Sequence, residues 1–453
     1  MKNKNMNMNM NQFWQLIAYT FWMLGVLFIP TGCSSGDEGP KDPVEKPYTL
    51  VQGKDFTMRS ADMGQYAQFV LLKPNARIEL NMGAIAVNKV EVRPANLGIT
   101  TQFKGNKVIL ENVSPCKATV IVNDNVKNPV YLFANEQAPK EWQSLVGNVI
   151  RFQKGVHKIG KYEITEDNVT VFLEDEAFIE GYFYANGKKN IRILGYGIID
   201  GRNAQKAIQV ERCSNISVQG PILMSRTGWT SSFFECDGVN MKNIKVLSSD
   251  MYSDGVDIVG TSNVVLDDLY IHNDDDCLAF KTNKYGFAGN VENITVKNSV
   301  FWSGTKGNAL EIGWELDGEY VRNIHYENID IIRKEPVLNK NMKHAAISIH
   351  HCGNSHISDI SYKNIRVEDV YESLIWIELI PARDWGSGGG HIKNVTFEDI
   401  QYTKGPEAFI VIKNSSTGTM TGIEFSGLRI LDNPVTSLKD PIFKVEGIDV
   451  KVK

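Results

Sequence analysis

The chain has 453 residues, 42% of them hydrophobic and 22% charged, with a net charge of -5 at pH 7. That composition describes an ordinary soluble protein, and the length calls for an elongated repeat or two folded units rather than one compact core. A mildly acidic balance with no basic stripe excludes nucleic-acid binding as the organising feature.

Lys2 and Lys4 precede an apolar run from Phe13 to Ile29, and Pro30-Thr31-Gly32-Cys33 follows. A basic start, a short apolar stretch and a small residue at the cut read as a secretory signal over residues 1–33. The alternative is a membrane anchor, for which the run is short. Gly32-Cys33 resembles a bacterial lipoprotein box, with Pro30 where that box usually has Leu. The resemblance implies lipidation of Cys33 and an exported location in a bacterial cell envelope, touching membrane only through that anchor. Residues 34–47 are polar and proline-bearing, as a tether would be. Beyond Cys33 there are Cys116, Cys213, Cys236, Cys277 and Cys352, an odd set without metal-type spacing. They read as small buried hydrophobes. A disulfide is open to an exported protein, but sequence cannot pair it.

Residues 48–140 carry short β runs between turns: Phe69 to Leu72, Ala84 to Val87, Lys107 to Leu110, Ala118 to Val122 and Val130 to Ala134. This spacing predicts a small antiparallel β-sandwich. Over residues 145–453 the texture changes. A unit of Asn, then Ile or Val, then any residue, then an aliphatic or aromatic one recurs at Asn168, Asn190, Asn215, Asn243, Asn263, Asn293, Asn323 and Asn394. His356-Ile357 and Gly422-Ile423 are degenerate copies. No amphipathic helix intervenes, and the apolar pattern alternates at period two. The prediction is an all-β chain: a right-handed parallel β-helix preceded by the sandwich.

Within that repeat Asp254 lies about one coil before Asp275 and Asp276. Coil stacking would bring the three carboxylates to one face. Clustered acids resist joint ionisation, and glycoside hydrolysis uses such a cluster to protonate a leaving oxygen and activate water. Consecutive strand residues face opposite sides, so a bend is required at Asp275-Asp276. Taken alone, Asp274-Asp275-Asp276 also fits a solvated turn or a calcium-binding acid patch.

Four ordered segments carry a family resemblance. Gly195-Tyr196-Gly197-Ile198-Ile199-Asp200-Gly201, Trp229 with its following Ser-Ser-Phe-Phe, Ser253-Asp254-Gly255-Val256-Asp257, and Asn273 to Lys281 resemble motifs of family 28 glycoside hydrolases, the polygalacturonases. The second-last of these is similar to the family's Asn-Thr-Asp-Gly-x-Asp. The departures are specific. The family's Gly-His-Gly has Asn308 in place of His, and its Arg-Ile-Lys, which grips a galacturonate carboxylate, aligns with Ala346-Ile347-Ser348. Without those cations a uronate lacks a charge-assisted partner. Family 49, the dextranases and isopullulanases, also places a sandwich before a β-helix. Tyr131 to Ala134 and the tryptophan-rich stretch from Val300 to Trp314 are similar to it. Its substrates are neutral α-glucans, and both families invert.

The resemblance implies Asp275 as general acid, with Asp254 and Asp276 holding and activating water. Lys281, Asn308, Glu311 and Trp314 are expected at the substrate. Lys281 also reads as a surface lysine and Glu311 as a solvated acid. Trp302, Trp314 and Trp385 offer flat faces for sugars, with Trp302 the one whose apolar surroundings suit a core. His350-His351 alone does not make a metal site. The expected protein is a monomer acting on a polysaccharide without metal or cofactor, preferring a neutral or non-pectic glycan, with pectin hydrolysis as the alternative. A polysaccharide lyase and a non-catalytic glycan-binding protein remain as other classes.

Overall fold

A computed structural model describes residues 49–453 apart from 53, 57, 58 and 338–342. The signal, the tether and Cys33 lie outside the described residues. Described secondary structure is almost wholly β, with two short 3-10 turns at Ala95–Leu97 and Lys140–Ser144.

The first ten strands, from Thr49–Gln52 to Val130–Asn135, form two five-stranded sheets. One is antiparallel throughout. The other holds a parallel pair, Gly64–Val70 beside Val130–Asn135, which local sequence pattern does not encode. Side chains from both sheets close one core around Phe69, Leu80, Leu110, Val120 and Leu132. Ala84 to Val87 is not a strand. Only Val87 of that run is buried, and its N–H bonds to Gly105 O at 2.8 Å, so the segment arcs around the sheet end.

From Asn148–Phe152 to Val450–Val452 the chain winds as a parallel β-helix whose 29 strands join in one ladder. The Asn-aliphatic unit explains the coil. Ile216, Val239, Val264, Ile294, Ile324, Ile360, Val395 and Ile423 are register partners on successive turns, all pointing into the core. The preceding asparagine turns the chain at positive φ, 55° at Asn215 and 57° at Asn293, a conformation Asn tolerates well. These asparagines also bond to one another coil on coil: Asn215 Nδ2 to Asn190 Oδ1 at 2.6 Å, Asn323 Nδ2 to Asn293 Oδ1 at 2.7 Å. Asn243 is different. It opens the next strand of its coil, Lys245–Ser249, while Gly238-Val239 holds the ladder position. Likewise Asp359-Ile360, rather than His356-Ile357, continues the ladder.

The sandwich packs on the β-helix through Tyr66, Tyr131, Phe133, Met224, Leu247, Tyr270 and Trp302. Trp302 is buried there, stacked on His272 at 4.1 Å. The five described cysteines are free thiols.

Candidate active site

The strand Tyr270–Asn273 ends, the chain bends through Asp274 to Cys277, and Leu278–Lys281 begins. The bend demanded by the adjacent aspartates is therefore present, and Asp275 and Asp276 sit on a turn rather than a pleat. Glycines of the next coil make room for it. A Cβ on Gly307 would meet the Asp275–Asp276 peptide, and one on Gly304 would meet Asp274. Asn273, fully buried, ties the acid turns together. Its Nδ2 donates to Ser253 O at 2.9 Å and Asp276 O at 2.7 Å, and its Oδ1 accepts from Cys277 Sγ at 2.9 Å. Gly255 N donates to Asp276 O at 2.9 Å, so Asp254 lies one coil from Asp276 at the mouth of the strand Val256–Val259.

Alternation along the strands then chooses the outward residues. Asp257 faces out between Val256 and Ile258, and Lys281 between Phe280 and the following turn; Val259 and Lys281 are register partners. Lys281 Nζ reaches back, 2.6 Å from Asp257 Oδ1 and 3.1 Å from Asp254 Oδ2. It also lies over the Trp229 ring, 4.0 Å from its centroid. Lys281 is 4% exposed. Burial opposes its charge, yet Asp257 and Asp254 raise its pKa well above the usual lysine value.

Asp276 Oδ1 accepts from the Asn308 backbone N–H at 2.7 Å and from Asn308 Nδ2 at 2.9 Å. Asn308 Oδ1 accepts in turn from Ala345 N at 2.8 Å. Burial, followed by the charges of Asp254, Glu311 and Asp275, pushes Asp276 well above the ordinary carboxyl range. Asp275 is part-exposed. Its Oδ2 accepts from Tyr252 N at 3.1 Å. Burial first, then Asp254, raises it to about 7. Asp274 is set apart by bonds to Thr305 and Lys306.

Glu311 is fully buried on the following coil, accepting from Ser348 Oγ and lying 3.0 Å from His350 Nδ1. Trp314 stacks on His350 at 4.7 Å and meets Trp385 edge-on at 5.5 Å. A cleft of about 730 Å³ opens beside this layer, lined by Tyr285, Phe287, Glu315, Arg383 and Trp385 among others. The structure thus brings Asp254, Asp275, Asp276, Lys281 and Asn308 into one cluster, with Glu311 beside it and Trp314 toward the cleft. Asp257 was not singled out from sequence, although it lies within a quoted motif and its place between Val256 and Ile258 marks it as outward; His350 was weighed only for metal, and the structure sets it against Glu311.

The sequence model of glycosyl hydrolases family 28 matches residues 150–445. Among curated relatives, the chain is 22% identical to a polygalacturonase of Chamaecyparis obtusa over 244 residues, 52% of this chain and 45% of that protein. It is 20% identical to an endo-polygalacturonase of Pectobacterium carotovorum subsp. carotovorum over 245 residues, 54% of this chain and 57% of that protein. The chain spans about half the length of the curated relatives it matches. Among solved structures, Dex49A from Penicillium minioluteum aligns with a TM-score of 0.60 at 13% identity, over 86% of this chain and 83% of that one. The exopolygalacturonase of Thermotoga maritima aligns at 0.50 with 14% identity, over 69% of this chain and 86% of that one. These two likenesses establish the fold, a parallel β-helix. The family match covers more than half of the sequence and runs through the whole acid cluster, so the chain belongs to glycosyl hydrolases family 28.

Proposed function

We propose that the chain hydrolyses glycosidic bonds of an extracellular polysaccharide with inversion. One observation carries this reading: a part-exposed carboxyl, Asp275, raised to about 7, stands beside two buried acids, Asp254 and Asp276. A group that holds its proton near neutrality can deliver it to a leaving oxygen. Asp254 and Asp276, in the same cluster, hold and activate the attacking water. Lys281 and Asn308 serve the substrate by fixing those two acids, and Glu311 by fixing His350, on which the Trp314 ring stacks.

The preferred glycan in this reading is neutral or non-pectic. Ser348, at the place of the family's second cation, donates to the buried Glu311, so an acid rather than a base backs this part of the site. A uronate there would find no charge-assisted partner. The names of the curated relatives favour the second reading, a polygalacturonase-type activity on pectin. A lipid anchor at Cys33 and a cell-envelope location complete the proposal; labelling with a radioactive fatty acid, lost in Cys33→Ala, tests them.

Release of reducing ends from dextran, pullulan, polygalacturonate and rhamnogalacturonan separates the substrates, and NMR of the first anomer released reads the stereochemistry. Asp275→Asn is expected to abolish turnover while glycan binding persists. Wild-type rates in that variant, or ultraviolet-absorbing unsaturated products, would overturn the assignment.

A further inference from the structure

Two tyrosines beside the acid cluster hold a backbone conformation that tyrosine seldom takes. Tyr252 has φ 59° and Tyr285 φ 53°, the left-handed region that bulky side chains adopt only at a cost. They are the only aromatic residues with positive φ among the described residues. On the β-helix ladder the same conformation is met with asparagine, at Asn190, Asn215, Asn263, Asn293 and Asn323, and elsewhere with residues as different as Arg212, Thr227 and Glu235. The turn itself therefore does not call for a tyrosine.

Neither does packing. Tyr252 is 62% exposed and Tyr285 70% exposed. Both are nevertheless tied to the acids. The Tyr252 N–H donates to Asp275 Oδ2 at 3.1 Å. The Tyr285 ring lies 5.2 Å from that of Trp229, whose face carries the Lys281 ammonium bonded to Asp254. Tyr285 also lines the cleft. The two rings come from opposite ends of the strands that present the acids. Tyr252 precedes Asp254 and the strand Val256–Val259, whereas Tyr285 sits in the hairpin of Asn283–Lys284 and Phe287–Ala288, beyond Lys281. Four strand residues span roughly 13 Å, room for more than one sugar ring.

An exposed aromatic ring in a strained turn beside reactive groups is a feature with a use. Its flat apolar face matches the C–H face of a pyranose, whose hydroxyls point to the edge and stay solvated. We infer that Tyr252 and Tyr285 are stacking platforms on either side of the acid cluster, which hold one oligosaccharide across it. This deepens the hydrolase reading and rests on it. The substrate is then a run of pyranose units that continues on both sides of the cleaved bond.

The test uses the full chain and the same four glycans. Tyr252→Asn and Tyr285→Asn keep the turn and its N–H while removing the ring; Tyr252→Phe and Tyr285→Phe keep the ring. Each Asn variant is expected to raise KM roughly three- to tenfold, the scale of one lost aromatic contact, with kcat changing far less than KM. The two effects multiply in the double variant, because the residues share no partner. The Phe variants keep the wild-type KM. Unchanged KM in both Asn variants, or an equal loss in the Phe variants, would overturn the platforms and leave the hydrolase reading standing. A wild-type chain that cleaves none of the four glycans would instead remove the hydrolase reading, and the platforms with it.

Discussion

Replacing Gly307 by alanine adds one methyl group at the back of the acid bend. The φ of Gly307 is one that any residue adopts, so the consequence is steric. The new Cβ would lie 2.6 Å from the Asp275 carbonyl oxygen and would press on the Asp275 carbonyl carbon and the Asp276 nitrogen. Ordinary van der Waals contact begins at 3.4 Å. The obstacle is backbone and cannot rotate away, so the bend has to withdraw by close to 1 Å. Overpacking of this kind costs about 1–3 kcal/mol, which a domain of ordinary stability survives. The aliphatic core beneath, Leu278 on Leu310, is untouched. Activity is far more sensitive: a misplacement of about 1 Å at reacting groups costs on the order of 100-fold. Gly307→Ala should therefore unfold only a few degrees below wild type while its kcat on the glycan that wild type cleaves falls about 100-fold. Thermal unfolding and reducing-end release measure the two quantities on one preparation. A folded Gly307→Ala with wild-type kcat would show that the Asp275–Asp276 backbone does not set the rate, and the reasoning would fail.

The remaining expectations follow from the charges. If Asp275 delivers the proton, kcat declines as pH rises through about 7, and a pH–rate profile flat across that region would refute the role. The same shift bears on stability. Asp275 unfolded titrates near 3.8 and folded near about 7, so between those values the native state binds the extra proton and stability falls as pH rises. Asp275→Asn should thus gain thermal stability over wild type at mildly alkaline pH and lose that gain near pH 4, roughly the unfolded value; a gain independent of pH would count against it. Lys281→Met strands Asp254 and Asp257, 4% and 0% exposed, without their shared cation, a change worth about 3–5 kcal/mol of stability. Urea unfolding that shows less than about 1 kcal/mol would mean the pair behaves as a surface contact. Asn308→Ala removes the Nδ2 bond to Asp276 and the acceptor of the Ala345 N–H. Hydrogen bonds to charged groups are worth about 1.5–3 kcal/mol, so kcat should drop roughly ten- to hundredfold, and an effect confined to KM would place Asn308 on the sugar instead.

What could be read from sequence was local. An asparagine turn followed by an inward aliphatic is written in neighbouring residues, which is why the β-helix is legible. Each coil has more than one such corner, however, and each corner accepts Asn for the same conformational reason. Asn243 therefore looks like Asn215 and Asn293 although it opens a different strand. Ala84 to Val87 has the alternation of a strand but no neighbour to pair with. In the site, the residue types and spacing of Asp254, Asp275 and Asp276 pointed to the cluster, and the family resemblance placed Lys281 near it as a substrate contact. The burial of Lys281 did not show, because it depends on Asp257 and Asp254 folding around the ammonium from the preceding coil. The need for a bend at Asp275 was legible from alternation, but its cause was not: Gly304 and Gly307 lie about 30 residues downstream and matter only once the coils stack.

The sandwich bears on the same bend from the other direction. It docks on Tyr270–Asn273, the strand that leads into the acids. Thr119 Oγ1 lies 2.5 Å from Tyr270 Oη, and Tyr131 Oη lies 2.6 Å from His272 Nδ1. Burial, with Arg333 nearby, lowers His272 to about 3, so this contact stays neutral and unbroken across the pH range in which Asp275 titrates. Asn273 follows His272 directly and holds both Ser253 O and Asp276 O. A strand fixed on its outer face by the sandwich, and at its end by Asn273, leaves the acid turn little freedom to relax when its carboxyls repel one another. Like charges in a yielding loop would move apart and titrate normally. Held in place, they stay buried and close together, so burial first and repulsion second raise the pKa, and that raised pKa is the property the proposed proton transfer requires.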